Sequence, residues 1–145
     1  MTHARKIARE VSLLIPKLVV SIRQNFFEIE ELTNRQIVTL MYISESDRPK
    51  LTDIAENFQV SAPTVSGVVD RLTRKGYLRR ERDQQDRRVV YVVLSRKGTE
   101  FIERFRKTIQ QRWETILDCL SRAEQEEYLR ILRKILKNMT GRENA

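Results

Sequence analysis

Cysteine and histidine are almost missing from this chain of 145 residues, which has one of each, Cys119 and His3. A single cysteine excludes an intrachain disulfide and suits a reducing compartment, so a cytoplasmic location is expected. One histidine leaves neither a histidine-based catalytic triad nor a Cys/His zinc cage its parts. The four glycines, at positions 67, 76, 98 and 141, are too scattered to make a phosphate-cradling loop. The inventory therefore reads as that of a protein that is not an enzyme and that uses no cofactor or metal. Long apolar runs are lacking as well. The most apolar early stretch, VSLLIPKLVVSI, is interrupted by Pro16 and Lys17 and falls short of the ~20 residues a membrane span needs. The N-terminal MTHARKIAREVS has no apolar core followed by a small-residue cleavage site, so no secretory signal is expected.

What the chain does have is charge, and the charge is uneven. It is 33% charged and 40% hydrophobic, with a formal net charge of +8. Between Val60 and Lys97 lie ten basic residues against four acidic ones, which places +6 of that excess in 38 residues. An ordinary solvated surface would spread the excess along the chain; concentration of this kind is the footprint of a face that binds a polyanion. Two partners fit such a face: nucleic acid, or an acidic protein met by an interaction module. A steep salt dependence of binding to duplex DNA separates them.

The periodicity is mostly helical. From Ile7 to Phe27 apolar residues recur every three or four positions (Ile7, Val11, Leu14, Leu18, Ile22, Phe26), one face of an amphipathic helix that Pro16 should kink or divide. LTNRQIVTLMYI opens on a capping box, Thr33 with Gln36. LTDIAENF reads as a short helix with Thr52 at its N-cap and Leu51, Ile54, Ala55 and Phe58 turned inward. Two residues later Ser61 caps APTVSGVVDRLTRK, where Pro63 is tolerated in the first turn, Val65, Val68, Val69 and Leu72 are buried, and Gly76 stops the helix. Two short helices joined by a tight turn form a helix-turn-helix. YLRRER and RVVYVVL, separated by DQQD, then read as a β-hairpin. Ser95 begins a long helix with a stripe of Phe101, Phe105, Ile109, Trp113, Ile116 and Leu120. Ser121 and Glu124 box a last helix bearing Tyr128, Leu132, Ile135 and Met139. The fold class is mainly α with a small β-hairpin wing.

From Leu32 to Gly98 the chain resembles the multiple-antibiotic-resistance-regulator (MarR) family of bacterial transcription factors. The resemblance rests on LTNRQ (32–36), LTDIAENFQVSAPTVSGVVDRLTRKGYLRR (51–80) and DQQDRRVVYVVLSRKG (83–98). It implies a winged helix-turn-helix over 32–98, flanked by dimerisation helices in 1–31 and 99–145. It also implies a homodimer acting as a sequence-specific regulator, expected to be a repressor, on a pseudo-palindromic DNA operator. The helix over 61–75 would enter the major groove, where base edges carry a full donor/acceptor code. The wing over 79–93 would reach the minor groove. Ser61, Thr64 and Ser66 sit near the recognition helix N-terminus, where free amides favour a phosphate, and are short enough to approach phosphates or bases closely; Arg71 and Arg74 lie further along, toward the DNA backbone. In the wing, Asp86 and Arg88 match the family's Asp-x-Arg. Two apart on an extended strand they would face the same side, the carboxylate aiming the guanidinium at a narrow groove, with Arg82 and Arg87 as phosphate contacts. Gly67 departs from the family pattern, which commonly has a basic or bulkier residue there; it either permits close approach to DNA or is simply tolerated. Regulators of this family commonly respond to small aromatic or phenolic effectors, and no motif here assigns residues to one. Cys119 reads as a packed small hydrophobe, not a redox switch.

Overall fold

The computed structural model describes residues 2–26 and 32–141. The expected end of the first helix at Phe27, the side chain of Phe26, and the outer ends of the 1–31 and 99–145 segments lie outside the described residues. The chain forms two compact units, Met1–Lys107 and Thr108–Ala145. Among the described residues, six helices and one hairpin follow in chain order: α1 (His3–Phe26), α2 (Asn34–Glu45), α3 (Leu51–Phe58), α4 (Ala62–Arg74), β1 (Leu78–Arg82), β2 (Val90–Leu94), α5 (Arg96–Leu117) and α6 (Arg122–Thr140).

Helix starts follow the local chemistry. Thr33 accepts the Gln36 N–H while the Gln36 side-chain oxygen accepts the Thr33 N–H at 3.0 Å, which explains how Gln36 can be buried. Ser61 caps α4 through the Thr64 N–H at 3.3 Å, and Ser121 and Glu124 make the reciprocal pair at α6. Ser95 caps α5 through the Gly98 N–H at 3.0 Å. α3 departs from expectation. Its N-cap is Lys50, not Thr52, because Asp53, three residues on, accepts the Lys50 N–H at 2.9 Å. The box is half of the usual one, since a lysine side chain has no acceptor to return the bond. α1 is likewise undivided at Pro16. Its residues from His3 to Ser21 are exposed, and proline leaves one carbonyl there without an intrahelical donor.

The core of the first unit is where α2, α3, α4 and the start of α5 meet the hairpin. Ile37, Leu40, Ile54, Val69, Leu72 and Val92 are fully buried, as is Phe101, whose ring lies edge-on to Tyr77 at 5.5 Å and stacks on Phe105 at 6.0 Å. Leu51 and Phe58 are only half-buried; Phe58 lies edge-on to Tyr42. β1 and β2 pair antiparallel with Arg80 opposite Val92 and Arg82 opposite Val90. The loop before α3 adds to the sheet: Pro49 C=O accepts the Val92 N–H at 2.8 Å, and Lys50 bridges Tyr91. Two glycines are dictated by geometry. Gly76 takes φ +85° where α4 ends. At Gly98 a Cβ would stand 2.1 Å from the Tyr77 carbonyl oxygen, so α5 can start this close to the hairpin only without a side chain.

In the second unit, Gln125 donates to the carbonyls of Leu117 and Leu120, and Trp113 lies 6.4 Å from Tyr128. Cys119 is exposed, contrary to the packed position expected of it. It lies in the turn after α5, with its thiol donating to the Ile116 carbonyl. Among the described residues no helix is long and apolar enough to cross a membrane.

Candidate nucleic-acid interface

The geometry of the basic segment begins with α4. Its inner face is Val65, Val68, Val69 and Leu72, which leaves the opposite face to water. Ser61 is exposed at the N-cap and its hydroxyl lies 2.7 Å from that of Thr64. Ser66 and Gly67 follow, half-exposed, and nothing lies within 4 Å of where a Gly67 side chain would begin. Arg71 and Arg74 are exposed in the last turn. The expected row, hydroxyls first and guanidiniums last, is therefore displayed on one helix, with an open notch at Gly67. A cavity of about 310 Å³ opens on the side of α4 that faces α2. Thr64, Val65 and Val68 line it together with Val38, Phe58 and Val60.

The wing differs from the expected pattern in how it holds its tip. β1 ends at Arg82 and β2 starts at Val90, so Asp86, Arg87 and Arg88 lie in a turn and not on an extended strand. Asp86 and Arg88 still meet, by another route. The Asp86 carboxylate accepts the Arg88 backbone N–H at 3.1 Å, its Nε at 3.1 Å and its Nη2 at 3.2 Å. A short acid two residues ahead can reach both the amide and the side chain of a turn residue, which a strand pair cannot. These bonds from Arg88, the side-chain ones foremost, hold the Asp86 carboxyl below its ordinary range. The Arg88 side chain is 92% exposed, so the pairing orients the guanidinium without burying it. Arg87 is also exposed, whereas Arg82 turns its Nη1 to the Arg87 carbonyl at 3.2 Å and so braces the turn.

Sequence reasoning passed over the residues that brace this region. Asp83 accepts the N–H groups of Gln85 and Asp86 at 2.8 and 3.0 Å and the Tyr91 hydroxyl at 3.0 Å. Those two backbone bonds first, then Tyr91, hold its carboxyl low, and the same contact raises the Tyr91 hydroxyl. Arg80 pairs with Asp70, joining the wing to the recognition helix. The spacing Asp83-x-x-Asp86 was a usable signal for a turn; the Arg80–Asp70 pair had none. Among the described residues no three His, Cys, Asp or Glu side chains converge as a metal site.

A capped helix backed by a second helix across a tight turn, followed by a hairpin that offers arginine at its tip, defines the winged helix-turn-helix class. Residues 32–90 match the MarR family model. Over 88% of this chain and 92% of the relative, the sequence is 26% identical to the HTH-type transcriptional regulator YpoP of Bacillus subtilis (strain 168). The fold matches a MarR family protein from Bacillus stearothermophilus with a TM-score of 0.86 and 26% identity, over 97% of this chain and 99% of that one. It also matches Streptococcus pneumoniae FabT, solved in complex with DNA, with a TM-score of 0.71 over 94% of this chain and 99% of that one; at 23% identity this is a likeness of fold. The chain thus carries a MarR-family segment at residues 32–90, is similar over most of its length to transcriptional regulators, and is a DNA-binding regulator of transcription.

Proposed function

We propose that the protein is a homodimeric, cytoplasmic repressor, not an enzyme, that occupies a pseudo-palindromic operator. Residues 32–98 form its DNA-binding domain, and 1–31 and 99–145 its dimerisation segments. α4 enters the major groove. Ser61 and Thr64 approach a phosphate at the helix N-terminus. Ser66 and Gly67 face base edges, and Arg71 and Arg74 contact the DNA backbone. The wing tip enters the minor groove through Arg88, supported by Asp86, with Arg87 on a phosphate and Arg82 at the base of the turn. The observation that carries this reading is the Arg88 guanidinium, held by Asp86 through two side-chain bonds yet 92% exposed. A surface ion pair alone is worth ~0–1 kcal/mol, too little to explain such preparation, whereas a narrow groove of strong negative potential rewards it.

A second copy supplies the symmetry that a two-fold operator needs, and apolar surface is available for it. On α1, Leu14, Val19 and Val20 are all more than half exposed, and on α6 so are Leu136 and Met139. The cavity beside α4 suits a small aromatic effector, because Thr64, Val65 and Val68 belong both to its wall and to the recognition helix.

Selection of bound fragments from genomic DNA by the purified protein, followed by mobility-shift titration at several salt concentrations, tests the reading. We expect a preferred, two-fold-symmetric fragment and a log–log salt slope of about −0.9 for each phosphate neutralised. No preference over scrambled competitor would overturn it.

A further inference from the structure

The loop between α2 and α3 carries an arginine in an unusual conformation. Arg48 has φ +49°, a left-handed backbone that non-glycine residues seldom adopt and that persists where surroundings over-determine it. Its side chain, half exposed, meets two residues of the wing, one of them a carboxylate that also pairs with Arg79. The guanidinium carbon lies 4.3 Å from the centre of the Tyr91 ring, and Nη2 is 3.5 Å from the Glu81 carboxylate. Glu81 and Tyr91 are themselves opposite each other across the hairpin. Tyr91 then continues the chain of contacts outward, donating its hydroxyl to Asp83, whose other oxygen holds the Gln85 and Asp86 amides. The next link is Asp86 to Arg88. An unbroken series of contacts thus runs from the loop between α2 and α3, through one aromatic ring, to the base of the wing turn. The mainchain bond from Val92 to Pro49 closes the same joint from beneath.

We propose that Arg48, Tyr91 and Asp83 form a clamp that fixes the wing tip against the helix-turn-helix, making Arg48 and Tyr91 positioning residues for minor-groove entry. A two-stranded ribbon is flexible by itself, and a tip that must arrive at one groove while α4 occupies another gains from being held in place before binding. Arg48 already faces an aromatic ring and a carboxylate, so its charge serves the joint and not a phosphate. The inference rests on the wing reading above, but its first test does not need DNA.

Tyr91→Phe keeps the ring under Arg48 and removes only the hydroxyl. In the free full-length protein, amide exchange at Gln85 and Asp86 should quicken roughly tenfold, on the scale of a hydrogen bond to a charged group, with the melting temperature lowered by no more than a few degrees. Unaltered exchange overturns the clamp. On a duplex selected with the wild type, Tyr91→Phe and Arg48→Ala should each weaken binding about tenfold while leaving the salt slope unchanged. The double variant should be no worse than the more affected single one, as for residues acting through one another. Strictly additive losses, undiminished affinity, or a slope for Arg48→Ala reduced by about 0.9, the mark of a lost phosphate contact, each refute it. If the wild type selects no duplex, the DNA reading fails, and exchange in the free protein still decides whether the joint exists.

Discussion

Arg88 and Asp86 show how much a single side chain can be prepared by its neighbour. Arg88→Ala should cost about 1–3 kcal/mol of binding free energy, the scale of a specific side-chain contact to DNA. The melting temperature should stay within about a degree or two, because the residue is exposed. Asp86→Asn keeps an acceptor for the Arg88 amide but weakens the grip on the guanidinium, so its loss of affinity should be smaller; a loss exceeding that of Arg88→Ala would mean that Asp86 does more than hold Arg88. The carboxylate offers a separate check. Its pKa lies below the ordinary 3.8, chiefly through the side-chain bond from Arg88. The sign follows: the depressed value means that the pairing is fully present above that ordinary value and fades only as pH falls below it, so neutral conditions leave it intact. Carboxyl carbon titration of Asp86 by NMR should give a midpoint under 3.8 that moves upward in Arg88→Ala. A midpoint indifferent to that substitution would show that the two side chains do not pair in solution.

At the scale of elements, α4 has to be stable as a helix and, on the proposed reading, to meet DNA, and Gly67 is where the two demands can be told apart. A glycine inside a helix costs roughly 0.5–1 kcal/mol against alanine, and no packing contact repays it, since a Cβ there would meet nothing within 4 Å. Gly67→Ala should therefore raise stability by about 0.4–1 kcal/mol in a denaturant titration. Reduced operator affinity in the same variant would identify the notch as the place where a base edge or methyl approaches; unchanged affinity would mark the glycine as tolerated. The helix caps show how far local sequence reaches. Thr33, Ser61 and Ser121 were legible because a cap needs only a short polar residue and its neighbour three positions on. Thr52 misled because Asp53 competes for the same helix end from one residue further along. The Asp86–Arg88 contact was legible as a pair but not as a turn: period-two reasoning presumes strand where DQQD already breaks it. Arg48 and Tyr91 were beyond reach, since no local pattern connects positions so far apart until the sheet brings Pro49 against Val92.

The whole molecule raises the question of what covers its apolar surface. α1 is apolar on more than one side between Leu13 and Val20, with Leu13, Leu14, Ile15, Leu18, Val19 and Val20 each 44–58% exposed, and helices of that kind are ordinarily buried. α6 has no buried residue at all. Intrachain packing therefore leaves both helices with a face that water should not keep, and the proposed two-fold partner would cover such faces while matching the symmetry of the proposed operator. Two outcomes follow from mass action. The melting temperature should rise with protein concentration, because association stabilises only the folded state. Ile135, half exposed on α6, should tolerate no charge if that face is covered. Ile135→Glu should shift the protein toward a monomer in sedimentation and lower its melting temperature, and binding to a full operator should fall to the weak level of a single half-site. The winged lobe in Met1–Lys107 contains none of the substituted surface, so binding of that half-site should survive. A variant that remains dimeric would place Ile135 on a solvated edge and move the interface elsewhere on α6 or to α1.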